Sequence, residues 1–224
     1  TTTKPLCLVK STFTDCGESH GLPAGKEKIQ VYMGFDIGST TTKMVIQSPK
    51  GDIYFKRYIP TEGQPVVAIR KCMKHLIDTL DVSRLEILGV GTTGSGREVA
   101  NLFVGADDVV NEVTAHAKGT TFFNPDVDTI FELGGQDAKY TSLANGFVVD
   151  FRMNKVCAAG TGSFLEETAN KLGINISKEY ESLALAAKTP FKLTERCTVF
   201  MESDLMSYLQ MGALREDLLA GLSG

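Results

Sequence analysis

The stretch GFDIGSTTTK, residues 34–43, decides the fold of this chain. A second stretch, IFELGGQDAK at residues 130–139, has the same order of residue types: an apolar run, a carboxylate, an apolar residue, glycine and small polar residues. The spacing is constant, because 96 positions separate the two carboxylates and 96 separate the two lysines. A duplicated strand, turn and strand explains this agreement better than coincidence.

Both turns carry residue types that suit a polyphosphate and its metal ion. Glycine lets the main chain approach an anion closely, and hydroxyl side chains add hydrogen-bond donors. A carboxylate on each turn suits Mg²⁺, which prefers oxygen ligands. The alternative is a pair of glycine hairpins that bind no ligand. The residues concerned are Asp36, Gly38, Ser39, Thr40 and Thr41 in the first turn, and Glu132, Gly134 and Gly135 in the second.

Each copy continues into a third strand, GDIYFKRY at residues 51–58 and GFVVDFRM at residues 146–153. Pro65 then begins a helix whose apolar residues recur at helical spacing, and Cys72 beside them belongs to the core. The residues after the short strand 86–91 either face a ligand cleft or form a plain turn into a helix. The other predicted helices cover residues 109–123, 161–172, 178–188 and 199–211.

The order of these elements predicts an α/β protein of two lobes with mixed sheets, because each half begins with hairpin strands and then crosses over through helices. We expect a first lobe at residues 31–124 and a second at residues 125–224. Residues 1–30 lack a sustained period and contain several Gly and Pro residues, which is typical of a linker or of the tail of an upstream domain.

Composition excludes several classes of function. A formal net charge of −4 without a concentrated run of Lys and Arg gives no electrostatic reason to expect nucleic acid. No apolar stretch approaches the length of a membrane span, and the first residues lack the order of a signal peptide, so we expect a cytoplasmic protein. The five cysteines lack CxxC spacing, which favours free thiols or a metal site over a disulfide framework.

Two cysteines stand immediately before predicted helices. Cys157 precedes a Gly-Thr-Gly turn, and Cys197 precedes the helix at 199–211. The positive end of a helix dipole favours a thiolate or an anionic cluster, although a small buried thiol fits either position equally well. Two thiolates are too few for a zinc site or an iron–sulfur cluster, but a symmetric dimer would supply the other two.

These motifs together resemble one family. GFDIGSTTTK, ELGGQDAK, CAAGTGSF around Cys157 and CTVFMESD around Cys197 are similar to the ATP-dependent activators of 2-hydroxyacyl-CoA dehydratases and the ATPase components of benzoyl-CoA reductases. The resemblance covers about residues 31–220 in order. It implies two ribonuclease-H-like lobes of the actin-like ATPase fold, shared with sugar kinases and heat-shock chaperones.

The resemblance also implies a mechanism. Members are homodimers that hold one [4Fe–4S] cluster between subunits, and ATP hydrolysis changes the angle between the helices that carry it. An electron then passes from a donor such as ferredoxin or flavodoxin to a CoA-substrate dehydratase or reductase. Nucleotide contacts that differ between ATP and ADP would bias two geometries of the dimer.

The family's roles fall on particular residues of this sequence. Cys157 and Cys197 would be the cluster ligands, and Asp36 would hold the hydration shell of Mg²⁺. Gln136 or Asp137 would lie near the attacking water. The first phosphate loop would comprise Gly38, Ser39, Thr40 and Lys43, and the second would comprise Gly134, Gly135 and Gln136.

The sequence departs from the family pattern at three points. The long tail before Val31 fits larger, multi-domain relatives in which an activase unit follows another domain, so we expect a fragment of such a protein. Glu132 stands where many activators have Asp, which places the carboxylate one methylene further out and puts its contact with the metal in doubt. The chain ends at Gly224, before the later strand and Gly-rich turn that hold adenosine in the family. The resemblance therefore predicts an incomplete second lobe and weak binding of nucleotide.

Two other functions fit the turns. A small-molecule kinase of the same superfamily needs a general base, and Asp137 can serve as one, with the cysteines incidental. A non-catalytic ATP-sensing domain of a larger protein needs neither base nor cluster. Iron bound by Cys157 and Cys197 would distinguish an activator from both of these alternatives.

Overall fold

The computed structural model describes residues 2–7, 19–154, 160–194 and 197–223. Strands and helices alternate as the sequence predicts, so the α/β class is confirmed. The strands are β1 (Ile29–Ile37), β2 (Thr41–Gln47), β3 (Ile53–Pro60), β4 (Leu85–Thr93), β5 (Asp108–Val109), β6 (Thr129–Leu133), β7 (Ala138–Ala144) and β8 (Phe147–Met153). The α-helices are α1 (Pro65–Thr79), α2 (Arg97–Val104), α3 (Glu112–Phe123), α4 (Gly162–Lys171), α5 (Tyr180–Ala186), α6 (Thr198–Gln210) and α7 (Arg215–Ser223).

Five strands form a mixed sheet in the order β3-β2-β1-β4-β5. The hairpin strands β1, β2 and β3 pair antiparallel, whereas β4 pairs parallel to β1 after the crossover through α1. Alternate residues of β1, among them Val31, Phe35 and Ile37, are buried on one face of this sheet. Because successive side chains of a strand point to opposite faces of the sheet, this alternation determines which face packs on helices.

Helix α1 covers that buried face. Pro65 stands at its start, where the missing N–H costs nothing, and its residues Ile69, Cys72 and Leu76 enter the core of the first sheet. Burial raises the pKa of the Cys72 thiol, partly offset by the charge of Arg57, so the thiol stays protonated. The sequence-based placement of Cys72 in the core is confirmed.

Strands β6, β7 and β8 form a second sheet in that order. The hairpin between β7 and β8 turns through Asn145 and Gly146, which have φ values of 54° and 77°. Asn-Gly is the preferred pair for a two-residue hairpin turn, because both positions need positive φ. The third strand predicted at residues 146–153 is therefore present in the second copy, as β3 is in the first.

The described chain divides into two compact units. The N-terminal unit comprises residues 19–131 and 140–152, and the C-terminal unit comprises residues 2–7, 132–139 and the described residues from 153 on. In the C-terminal unit Leu205, Leu218 and Leu219 form the centre of a second core of buried residues. The lobe boundaries expected from the sequence, at residues 30 and 124, stay a prediction.

Three details differ from the sequence-based expectation. The helix expected at 109–123 begins at Glu112, because residues 108–109 pair with β4 and Asn111 caps the helix with its side chain. The helix expected at 178–188 is shorter, spanning Tyr180–Ala186. Helix α7 was not expected at all. Within the described residues, no helix combines the length and the apolar character that crossing a membrane requires.

Candidate functional site

The first turn joins β1 to β2. The Gly38 N–H donates to the Thr41 carbonyl over 2.8 Å, which closes the turn. The strand register places Asp36 opposite Lys43, and the Lys43 Nζ lies 2.9 Å from Asp36 Oδ2. A Cβ on Gly38 would stand 3.1 Å from the Thr41 carbonyl oxygen, so a larger residue would crowd the turn.

The second turn, between β6 and β7, repeats this geometry bond for bond. The Gly134 N–H donates to the Asp137 carbonyl over 2.8 Å, and Lys139 Nζ lies 3.2 Å from Glu132 Oε1. A Cβ on Gly134 would stand 3.1 Å from the Asp137 carbonyl oxygen. The duplication inferred from spacing is thus a duplication of structure, and Glu132 reaches its lysine despite the extra methylene.

The residues after β4 form a turn that packs against the first carboxylate. Gly94 has a φ of +87°, and a Cβ there would lie 2.6 Å from Asp36 Oδ1. The Gly96 N–H donates to the Ile37 carbonyl over 2.8 Å. The sequence left open whether these residues face a ligand cleft or form a plain turn. They form a strand-to-helix turn that contacts Asp36.

A cavity of about 680 Å³ in the N-terminal unit includes Asp36 and Lys43 in its wall. Thr93 on β4 is the strand partner of Asp36 and also lines this cavity. Its hydroxyl is buried and, like that of Thr92, has no hydrogen-bond partner among the described residues. The wall of this cavity is otherwise largely apolar, and its polar part at Asp36, Lys43 and Thr93 has the groups that suit magnesium and phosphate.

Helix α4 begins directly on the second turn. The N–H groups of Gly162 and Ser163 donate to the carbonyls of Gly134 and Gly135 over 2.9 and 2.8 Å. These donors belong to the first turn of the helix, where no intrahelical acceptor exists for them. A shift of the second turn must therefore displace the start of α4 or break these bonds.

The far end of α4 shares a buried core with α6 through Ala169 and Leu205, and one lysine adds a surface contact. Lys171 Nζ lies 2.7 Å from Glu202 Oε1 on α6 and 2.9 Å from Glu167 Oε1 on its own helix. Hydrogen bonds to Glu202 first and Glu167 second raise the pKa of Lys171, so the bridge stays charged at neutral pH. The two helices are thereby joined within the C-terminal unit.

Cys197 is the N-cap residue of α6, as the sequence predicts. Its side chain makes no capping hydrogen bond, and it is partly exposed, which leaves the thiol available as a ligand. Asp204 of α6 accepts hydrogen bonds from the N–H and hydroxyl of Thr194. Cys157 lies outside the described residues, and α4 begins five residues after it.

The remaining predicted residues lie as follows. The carbonyls of Thr40 and Gln136 accept hydrogen bonds from Thr61 and Asn154, two residues that the sequence did not single out. Asp137 is half-exposed, with Oδ2 4.0 Å from Lys139 Nζ. The first turn belongs to the N-terminal unit and the second to the C-terminal unit, so their closure on one ligand stays a prediction.

Comparison with known proteins decides the family. The model of the BadF/BadG/BcrA/BcrD ATPase family matches residues 33–224. The chain belongs to this family. It is 36% identical over 191 residues to the 2-hydroxyisocaproyl-CoA dehydratase activator of Clostridioides difficile, covering 85% of this chain and 70% of that protein.

Two further comparisons support the same family. The (R)-2-hydroxyglutaryl-CoA dehydratase activating ATPase of Acidaminococcus fermentans is 33% identical over 191 residues, which are 85% of this chain and 72% of that relative. The structure of the Clostridium difficile activator with bound ADPNP superposes with a TM-score of 0.74 at 36% identity, over 86% of this chain and 70% of that one. The family predicted from the motifs is confirmed, and with it the actin-like ATPase fold.

Proposed function

We propose that this protein is an ATP-dependent activator that passes an electron through a [4Fe–4S] cluster, shared by two copies, to a CoA-substrate dehydratase or reductase. Membership of the ATPase family and the names of the relatives support the activity. One observation carries the coupling: the carbonyls of Gly134 and Gly135 accept the first N–H groups of α4. A phosphate turn is thereby bonded to the helix that follows the Cys157 motif.

In this proposal the first turn binds phosphate and metal. Asp36 would hold the water shell of Mg²⁺, and Gly38, Ser39 and Thr40 would present backbone and hydroxyl donors to phosphate oxygens. Lys43 exchanges part of its contact with Asp36 for the phosphate, because a lysine on a flexible stem reorients at little cost. Thr93 supplies a further hydroxyl to the same side.

The second turn would bind phosphate as well. Gly134, Gly135 and Gln136 bind the terminal phosphates. Glu132 and Lys139 form an ion pair next to this turn, so their opposite charges neutralise each other there. Gln136 or Asp137 orients the attacking water, which is the task that such side chains perform in other nucleotide hydrolases. Asp137 is half-exposed and so is accessible to water.

Cys157 and Cys197 of each copy would hold the cluster, which supplies one-electron transfer at a potential set by its surroundings. The chain's own residues transmit the state of the nucleotide to it. A change at the second turn would move the start of α4, and α6 would follow it, because Ala169 of α4 and Leu205 of α6 share one buried core and Lys171 bridges to Glu202 at the surface; Cys197 is the N-cap of α6. A ferredoxin or flavodoxin would be the electron donor.

Anaerobic purification of the full-length protein tests the proposal. After reconstitution with iron and sulfide we expect broad absorbance near about 400 nm and about four irons per dimer. Cys197→Ala and Cys157→Ala should each abolish the colour. The matched control Cys72→Ala removes a buried core thiol and should keep it.

A colourless full-length dimer that still hydrolyses ATP would contradict the proposed cluster and favour a kinase of the same superfamily. Loss of colour in Cys72→Ala as well would assign the effect to folding rather than to ligation.

A further inference from the structure

Thr61, the first residue after β3, is hydrogen-bonded to the first phosphate turn. Its hydroxyl donates to the Gly38 carbonyl over 3.0 Å, and its N–H donates to the Thr40 carbonyl over 2.8 Å. Because one hydroxyl has one proton, the Thr42 hydroxyl at 2.9 Å must donate to Thr61. Thr61 is 4% exposed, so these bonds do not compete with water.

Asn154, the first described residue after β8, is bonded to the second turn in the same manner. Its Oδ1 accepts the Ala138 N–H over 2.9 Å, and its Nδ2 donates to the Gln136 carbonyl over 3.2 Å. Its own N–H donates to the Ala138 carbonyl over 3.2 Å. The fixed N–H of Ala138 decides the orientation of the amide, because only an oxygen can accept it.

The two residues have one bond in common. The Thr61 N–H donates to the Thr40 carbonyl and the Asn154 Nδ2 donates to the Gln136 carbonyl, and these two carbonyls are 96 residues apart, as the lysines are. The positions themselves differ, because Asn154 lies against Ala138, the counterpart of Thr42, whose strand partner is Ile59. A backbone N–H in one copy and a side-chain amide in the other thus hold the corresponding carbonyl of each turn.

We propose that Thr61 and Asn154 are positioning residues that hold the two phosphate turns in their ligand-binding conformation. A turn that is fixed before the ligand arrives loses less conformational entropy on binding. Neither side chain is required to touch the nucleotide. This positioning role rests on the proposed function, which identifies the ligand as Mg·ATP. The rigidity of the turns can nevertheless be measured in the absence of any ligand.

The test compares Thr61→Val and Asn154→Leu, which keep side-chain size and remove the side-chain hydrogen bonds while the backbone bonds remain. In the full-length protein we expect each to raise the KM for Mg·ATP about 10-fold, because binding must then order the turn. Without nucleotide, amide hydrogen exchange should become faster at residues 38–41 in the first variant and at residues 134–138 in the second. Thr61→Ser keeps the hydroxyl and should therefore show the wild-type KM and the wild-type rate of amide exchange.

Two matched controls remove comparable bonds away from the turns. Thr79→Val loses a hydroxyl bond to the His75 carbonyl, and Asn124→Leu loses a bond to the Asp126 N–H. Both should lower the melting temperature and leave KM unchanged, which separates positioning from general stability. If a test variant does not fold, Thr61→Ala and Asn154→Ser replace it.

The outcomes distinguish the two claims. Unchanged KM and unchanged exchange in folded variants overturn the positioning role. If the wild-type protein binds no Mg·ATP, the proposed function fails by itself, and exchange at the turns alone decides the role of Thr61 and Asn154. Faster exchange then supports it, and unchanged exchange overturns it.

Discussion

Asp36 and Lys43 face each other across two neighbouring strands, and both are partly open to solvent, with 28% and 38% of the side chain exposed. An ion pair at such exposure adds little to stability. The same pairing of carboxylate and lysine recurs between Glu132 and Lys139. In the second pair the side chains of Lys139 and Glu132 are only 5% and 16% exposed, so the argument from exposure applies to the first pair alone. The same two charges at both turns, at different degrees of burial, fit a ligand that needs both charges.

Asp217 is a carboxyl group of the C-terminal unit whose pKa is shifted by its surroundings. It is buried, and it accepts the N–H groups of Lys188 and Thr189 and the Thr189 hydroxyl. Burial raises the pKa of the Asp217 carboxyl, but the hydrogen bonds from Thr189 and Lys188 and the charge of Lys188 lower it overall. The ionised carboxylate therefore stabilises the fold.

Because the pKa of Asp217 is lower in the folded chain, its contribution is present above the unfolded value of about 3.9 and is lost as the pH falls through the folded value. We expect Asp217→Asn to lower the free energy of unfolding at pH 7 by about 1–3 kcal/mol, with a smaller difference below about pH 4. Urea denaturation of the wild type and the variant at pH 7 and below about pH 4 measures the difference in the free energy of unfolding. The neighbouring Glu216→Gln should change stability by less than about 0.5 kcal/mol. A pH-independent loss in Asp217→Asn would contradict the account.

Single residues were predictable where the repeat keeps its spacing. Asp36 and Lys43 are each 96 residues before their counterparts, so the sequence alone paired them. Thr61 and Asn154 are 93 residues apart, and their places in the strand register differ, because Asn154 lies against Ala138 whereas Thr61 lies two residues beyond Ile59, the partner of Thr42. They also differ in residue type. Neither spacing nor identity could therefore reveal that they do the same work.

At the scale of elements, α4 and α6 are joined by the bridge from Lys171 to Glu202. We expect Lys171→Met to weaken the coupling between ATP hydrolysis and electron delivery, because α6 then follows α4 less closely. The number of ATP molecules hydrolysed per electron passed to an artificial low-potential acceptor should rise about 3-fold or more. Stopped-flow measurement on the anaerobic full-length protein gives this ratio.

The matched control is Lys74→Met, which removes an ion pair with Asp78 inside α1 alone. Its ratio of ATP hydrolysed to electrons delivered should equal that of the wild type. An unchanged ratio in Lys171→Met would show that the contact between the two helices carries no coupling.

Helix α7 shows why one element escaped prediction. Its sequence, Arg215–Ser223, contains Gly221, and glycine inside a helix normally weakens it. In the structure a Cβ on Gly221 would lie 2.2 Å from the Phe191 carbonyl oxygen. The glycine is needed for close packing against residue 191, which is a contact between distant parts of the chain. Local patterns carry no information about such a contact.

At the scale of the whole molecule, each copy of the repeat has its own turn, and each unit has its own core. The second turn, α4, Lys171 and α6 all belong to the C-terminal unit. The path proposed from phosphate to Cys197 therefore needs no contact outside that unit. It depends on a few hydrogen bonds, which is appropriate for a switch between two states.

The central claim is that nucleotide bound at the turns is sensed at the cluster. Electron paramagnetic resonance of the anaerobically reduced full-length protein tests it most directly, with Mg·ATP or Mg·ADP added to identical samples. We predict a spectrum that differs between the two nucleotides, because α4 and α6 place the cysteines differently in each state. Identical spectra in samples that bind both nucleotides and hydrolyse ATP would contradict the account.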